Sequence, residues 1–190
     1  RAKGRALPMT QSLLQRISRK ENPQIVLGAF EQRWVGFDHV DARNKETWVA
    51  LDRVRDPGNL GTIMRSADAV GASGLILIGD CTDPYSVEAV RASMGAVFNT
   101  QIIACSESAF LKFAASWQGR IVGTALSASI DYRKAAYKRP LIMLMGNEQS
   151  GLTDNLMKAC GQLIKLPMLG RSDSLNLAVA TGIVLYETMS

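Results

Sequence analysis

The chain has 190 residues, a formal net charge of +5 and an isoelectric point near 9.3, with 47% hydrophobic and 21% charged residues. That is one ordinary domain with a sizeable core, and its longest apolar runs, such as residues 141–145, are too short to span a membrane. Three scattered cysteines (Cys81, Cys105 and Cys160) and a single histidine, His39, exclude a four-ligand zinc site and fit buried thiols in a reducing cytoplasm.

The N-terminal stretch RAKGRALPMT is basic, with no apolar run behind it, so it does not read as a signal peptide. The first residue is Arg and not Met, so a fragment or trimmed chain is the expectation, with room for a missing N-terminal piece. Arg1, Lys3, Arg5, Arg16, Arg19 and Lys20 occur with no acid in the first twenty residues, compatible with a polyanionic partner. PQIVLGAF (23–30) then reads as a short strand, followed by an irregular connection. The boundary to the rest of the chain is expected at 38–47.

From Thr47 a regular alternation begins. WVALDRV predicts a strand, and NLGTIMRSADAVGA a helix with Ile63, Ala67 and Val70 on one side. GLILIG (74–79) is an apolar strand, followed by a helix over 86–94. TQIIAC, RIVGTAL, RPLIMLMG (139–146) and GQLIKLP read as further strands, with helices in SESAFLKFAASW and near 153–158. The last helix is the segment opening at Ser172. Continuously apolar strands alternating with helices predict an α/β fold: a mostly parallel sheet with helices on both faces. Ligands of such sheets bind beyond the carboxyl ends of the strands, which directs attention to the loops at 55–61, 79–86, 125–132, 146–152 and 167–176.

Several common sites are absent from the sequence. No two glycines stand at i, i+2, so there is no GxGxxG fingerprint, and no GK[ST] marks a P-loop. Three constellations carry more. In DPGNLGTIMRSADAVGA, Asn59 can cap a helix that presents Arg65; this is either a capped helix with a solvent-facing arginine or a helix start and guanidinium suited to a phosphate or ribose. In LMGNEQSGL a strand runs into Gly146, Asn147 and Glu148; the glycines serve either the loop's own torsions or close approach to a ligand. In LPMLGRSDSLNLAVATGIVLYE an almost wholly apolar helix opens with Ser172, Asp173, Ser174 and Asn176. A cap by Ser172 or Ser174 would account for only one of these side chains.

Taken together, Asn59-x-Gly61-x-x-x-Arg65, then Gly146-Asn147-Glu148-x-x-Gly151-Leu152, then Leu166-Pro167-Met168 with Ser174-Leu175-Asn176-Leu177-Ala178-Val179-Ala180 resemble the three ordered motifs of the SpoU (TrmH-like) branch of the SPOUT RNA methyltransferases. The resemblance covers about residues 47–188. It implies a C-terminal deep trefoil knot that binds S-adenosylmethionine and methylates an RNA ribose 2′-hydroxyl. Thr124, Ala125, Leu126, Gly146, Asn147, Glu148, Leu166, Met168, Ser174 and Leu175 would contact the cofactor, and no metal is implied. Ser174 and Asn176 would be buried because they line that pocket. Arg65 would activate the hydroxyl, with Asn59, Glu148, Ser174 and Asn176 orienting it and the ribose. The resemblance also implies a cytoplasmic homodimer. Residues 1–40 would be the remnant and linker of an N-terminal RNA-binding domain and 41–190 the catalytic domain. Ribosomal RNA is favoured over transfer RNA. The rival readings are a non-catalytic RNA-binding or ribosome-assembly module on the same fold, and a binder of nucleotides or other small anions.

Overall fold

The computed structural model describes residues 4–44 and 46–189. The chain divides into two compact units at the Gln32–Arg33 junction. The N-terminal unit contains helix α1 (Gln11–Ser18), capped by the Thr10 hydroxyl, which accepts from the Leu13 N–H. Segment 23–30 forms no strand, contrary to expectation, and Ile25 is 91% exposed. The apolar pattern there is genuine, but a strand requires a neighbour to take up its backbone hydrogen bonds, and among the described residues none pairs with it. The second unit begins earlier than the expected boundary at 38–47. The Val35 N–H donates to Ile102 O at 3.0 Å, Phe37 stacks on Phe113 at 4.3 Å between ring centroids, and Val40 is buried.

The body of this unit is a seven-stranded sheet of β1 (Thr47–Asp52), β2 (Gly74–Ile78), β3 (Gln101–Cys105), β4 (Arg120–Thr124), β5 (Ile130–Asp131), β6 (Leu141–Met145) and β7 (Gln162–Lys165). The order is β3-β2-β1-β6-β4-β7-β5, and every pairing is parallel. The two-residue β5 lies in a stretch that reads as loop in the sequence, too short to show a period. Helices α2 (Pro57–Ala69), α3 (Val87–Ala92), α4 (Glu107–Ser116), α5 (Asp154–Ala159) and α6 (Leu177–Glu187) complete the unit.

Alternate residues of each strand feed alternate faces. Val49 and Leu51 of β1 join Met143 and Met145 of β6 in a core closed by Leu60, Ile63 and Met64 of α2, Ala89 of α3 and Val184 and Leu185 of α6. Trp48 and Ala50 point the other way, into a core with Ile142 and Leu144 that Phe110 of α4 and Leu156 of α5 cover. Strands β1, β2 and β6 are buried throughout, which explains why they read as unbroken apolar runs.

Gly61 sets how close α2 and α3 come. A Cβ there would lie 2.5 Å from that of Ala92 and 2.9 Å from the Ser93 N, so any side chain would push the helices apart. Register places the carboxyl ends of β1 and β6 side by side, with Leu51 opposite Met145. The loops after these strands carry the first and second motifs, so the sheet itself brings the motifs together.

Candidate functional site

The start of α2 differs from the sequence reading. Asp56, not Asn59, is the N-cap; its carboxylate accepts from the Asn59 N–H at 2.6 Å, and Pro57 follows in the first turn. This frees the Asn59 side chain. Its amide nitrogen donates to Glu148 Oε1 at 3.3 Å, and its Oδ1 accepts from Asn176 Nδ2 at 2.9 Å. Asn176 is itself the cap of α6, where its Oδ1 accepts from the N–H groups of Ala178 and Val179 at 2.9 and 3.3 Å. Neither Ser172 nor Ser174 caps, and the helix begins five residues after Ser172. One residue from each motif thus joins a single hydrogen-bonded line, Glu148–Asn59–Asn176.

The loop presenting Glu148 is built on Asn147. Its Oδ1 accepts from the Gln149 and Ser150 N–H groups at 2.9 and 3.1 Å, while its Nδ2 donates to Arg53 O at 2.8 Å. Reciprocal backbone bonds between Asn147 and Gly151, of 3.1 and 3.0 Å, close the turn. The tight approach at Gly146 is to the loop itself: an added Cβ would sit 2.6 Å from both the Gly151 carbonyl carbon and the Leu152 N. The glycine therefore serves the turn.

Arg53, absent from the sequence reading, clamps this loop from below. It sits in the left-handed region at φ 48°. Its guanidinium pairs with both oxygens of Asp52 at 2.9 Å and reaches the Gly151 carbonyl at 3.3 Å. Asp52 is only 1% exposed, and its carboxylate holds the Arg53 guanidinium above its ordinary pKa.

These groups border a polar cleft of about 580 Å³, lined by Arg53, Arg55, Asp56, Asn59, Asn147, Glu148, Gln149, Ser150 and Asn176. Beyond β7 a second, mainly apolar hollow of about 330 Å³ is lined by Tyr132, residues 166–170, Ser172, Leu175 and Ile183. Of the expected cofactor contacts, Leu166, Met168 and Leu175 line this hollow, while Asn147 and Glu148 line the polar cleft. Thr124, Ala125 and Leu126 line neither, although the Ala125 N–H bonds to Ile164 O at 2.9 Å and so lies against β7. Ser174 is exposed and lines neither.

Arg65 is likewise outside both. Six residues past Asn59 is about 1.7 helical turns, so it leaves α2 on a different side and is exposed. The Asp-Pro pair at 56–57 is an ordinary helix-start signal and could have identified the true cap. Nothing local marked Arg53 or Tyr132. Among the described residues no three His, Cys, Asp or Glu side chains group as metal ligands, and no helix is long and apolar enough to cross a membrane.

Over 96% of its length the chain is 32% identical to the 23S rRNA (uridine(2479)-2′-O)-methyltransferase of Streptomyces viridochromogenes, covering 66% of that protein. It is 36% identical to the 23S rRNA (guanosine-2′-O-)-methyltransferase RlmB of Vibrio parahaemolyticus, over 74% of this chain and 58% of that one. The chain spans about half to two thirds of the length of the curated relatives it matches. Among solved structures, an AdoMet-bound rRNA methyltransferase from Sinorhizobium meliloti superposes with a TM-score of 0.91 at 49% identity, over 94% of this chain and 69% of that one. The sequence profile of the SpoU rRNA Methylase family matches residues 46–186, a span that holds all three motifs and both hollows: the chain belongs to the SpoU rRNA methylase family.

Proposed function

We infer that this chain is an S-adenosylmethionine-dependent RNA methyltransferase that modifies a ribose 2′-hydroxyl, in ribosomal rather than transfer RNA, in the cytoplasm. The observation that carries this reading is the Glu148–Asn59–Asn176 line, whose members stand 89 and 117 residues apart in sequence yet bond directly. Relatives named as ribosomal RNA 2′-O-methyltransferases support the same substrate.

The residues beyond β7 fit the cofactor. Leu166, Met168, Leu175 and Ile183 offer an apolar bed for an adenine. Among the described residues, no N–H from Met168 to Leu175 donates to another backbone carbonyl, which leaves those groups for a ligand's polar edge. A deep trefoil knot would place this loop against residues 124–126. The sheet order supports it, since β6 and β7 lie on opposite sides of β4 and α6 returns to pack on α2.

Bound there, S-adenosylmethionine supplies an electrophilic sulfonium methyl. The chain's task is to align the 2′-oxygen with it and to manage a proton held by a weakly acidic hydroxyl. Glu148 takes the proton, with its carboxylate held by Asn59, which Asn176 fixes in turn. Arg65 stays protonated and so stabilises the developing alkoxide instead of acting as base. Since Arg65 does not line its own chain's cleft, we place it at the cleft of a second copy. Val179, Ile183 and Tyr186 form an apolar stripe on α6 that is 51%, 37% and 58% exposed, the surface a homodimer would cover. The first compact unit, up to Gln32, we assign to an RNA-binding segment and its linker.

The test is methyl transfer from labelled S-adenosylmethionine to unmodified ribosomal and transfer RNA, followed by alkaline hydrolysis. Label in alkali-resistant dinucleotides establishes ribose methylation; label in mononucleotides means base methylation and rejects it. Arg65→Ala should abolish transfer and leave cofactor binding nearly intact, whereas retained turnover would remove Arg65 from the chemistry.

A further inference from the structure

The polar cleft has two cations on its wall, Arg53 and Arg55, and their states differ. The Arg53 guanidinium is fixed: it holds both oxygens of the buried Asp52 and the Gly151 carbonyl. Withdrawing it would strand a carboxylate that is 1% exposed. Arg55 is held only from outside. Its Nη1 lies 2.5 Å from Asp80 Oδ2, and the two side chains are 61% and 79% exposed. Asp80 follows β2 in the neighbouring loop and does not line the cleft. An ion pair this exposed is weak and readily exchanged. A phosphodiester, by contrast, matches the planar fork of a guanidinium with two oxygens.

The acids in the lining do not compete for Arg55. Glu148 accepts from the Asn59 amide, and Asp56 is engaged as the α2 cap. Arg55 is therefore the cation of the cleft that a ligand can recruit. It directly precedes the Asp56 cap, and so stands at the mouth of the helix turn that presents Asn59.

We propose that Arg55 is a phosphodiester-binding residue. When RNA enters the cleft, the guanidinium leaves Asp80 and grips the phosphate adjoining the ribose presented to Glu148, Asn59 and Asn176. The assignment rests on the methyltransferase reading and adds to it the residue that grips the RNA backbone. Asp80 then acts as a competitor that holds Arg55 in reserve.

The test measures binding of a fluorescein-labelled oligouridylate to the chain by anisotropy across a salt series, with S-adenosylmethionine affinity measured by calorimetry. Arg55→Gln should weaken RNA binding several-fold and flatten the dependence of log K on log salt by about 0.7, the loss of one single-strand phosphate contact. Arg55→Lys should restore most of that slope. Asp80→Asn should tighten binding, and the gain should vanish in the Arg55→Gln/Asp80→Asn double variant, since Asp80 acts through Arg55. Cofactor affinity should stay constant in all of them.

Unchanged RNA affinity and slope in Arg55→Gln would overturn the proposal and leave the methyltransferase reading standing. So would a parent chain that binds S-adenosylmethionine but no oligouridylate at any salt. A parent chain that binds neither would overturn both. A gain in Asp80→Asn that persists in the double variant would show a general charge effect and remove Asp80 from the account.

Discussion

Replacing Arg53 by methionine keeps much of the side chain's apolar stem and removes its charge. Asp52 would then sit 1% exposed at the end of β1 with no cation, and the Gly151 carbonyl would keep only the Asn147 N–H as donor. Breaking a buried pair from one side costs about 3–5 kcal/mol. Because the Arg53 side chain is itself 33% exposed, water can reach part of the gap, and the lower end, about 3 kcal/mol, applies. For a protein of this length that is a Tm lowered by roughly 6–12 °C. Asp52→Asn should cost distinctly less, because the guanidinium left behind can turn to solvent. Urea unfolding of both single variants and of Asp52→Asn/Arg53→Met closes the cycle, and the double variant should recover much of the Arg53→Met loss. If both single variants lose under about 1 kcal/mol, the pair behaves like an exposed ion pair and the burial argument fails.

Other substitutions probe the rest of the site. Asn176→Ala removes the α6 cap and the Asn59 contact together; urea unfolding should show a loss of about 1 kcal/mol, while, under the proposed function, turnover should fall about tenfold or more because Asn59 and Glu148 lose their alignment. The Arg133 guanidinium beside Asp131 draws the carboxyl pKa down to about 2. A depressed carboxylate pKa contributes stability that is present above the unfolded value near 3.8 and is lost as pH falls toward about 2. Arg133→Gln should therefore lower Tm slightly at neutral pH, where the exposed pair contributes, and leave it unchanged near pH 2, so that the acid limb of a Tm-against-pH curve is flattened over that window. Burial pushes the thiols of Cys81 and Cys105 up to about 11 and that of Cys160 up to about 12. At pH 8 all three should react slowly with Ellman's reagent until the chain is unfolded, and a rapid native-state reaction would contradict their placement.

The sheet was legible because its strands are buried on both faces, so β1, β2 and β6 stand out as apolar runs whatever their surroundings. The failures share a cause. Residues 23–30 have a strand's composition but no neighbour to pair with among the described residues, and pairing is not a local property. The two residues of β5 are placed by β7 and carry no period of their own. The convergence of Asn59, Glu148 and Asn176 was legible only as three motifs in order; their hydrogen bonds depend on the register of β1 with β6 and on where α6 starts. The motif pattern predicts burial for both Ser174 and Asn176, yet both are exposed; Asn176 is fixed instead by capping α6 and by its bond to Asn59. Arg53 was hidden because its importance comes from the burial of Asp52, which no neighbouring residue in the sequence announces.

The span of the Glu148–Asn59–Asn176 line has a consequence for synthesis on the ribosome. Contacts separated by 89 and 117 residues close only after long loops have been drawn together, and they form late. While the chain emerges, β1 to β3 can pair and α2 can cap itself with Asp56, but Asn59 has no third partner until Asn176 has left the exit tunnel. A nascent chain of this protein can hold most of its sheet and still lack the Glu148–Asn59–Asn176 line, the last of its long-range polar contacts to close.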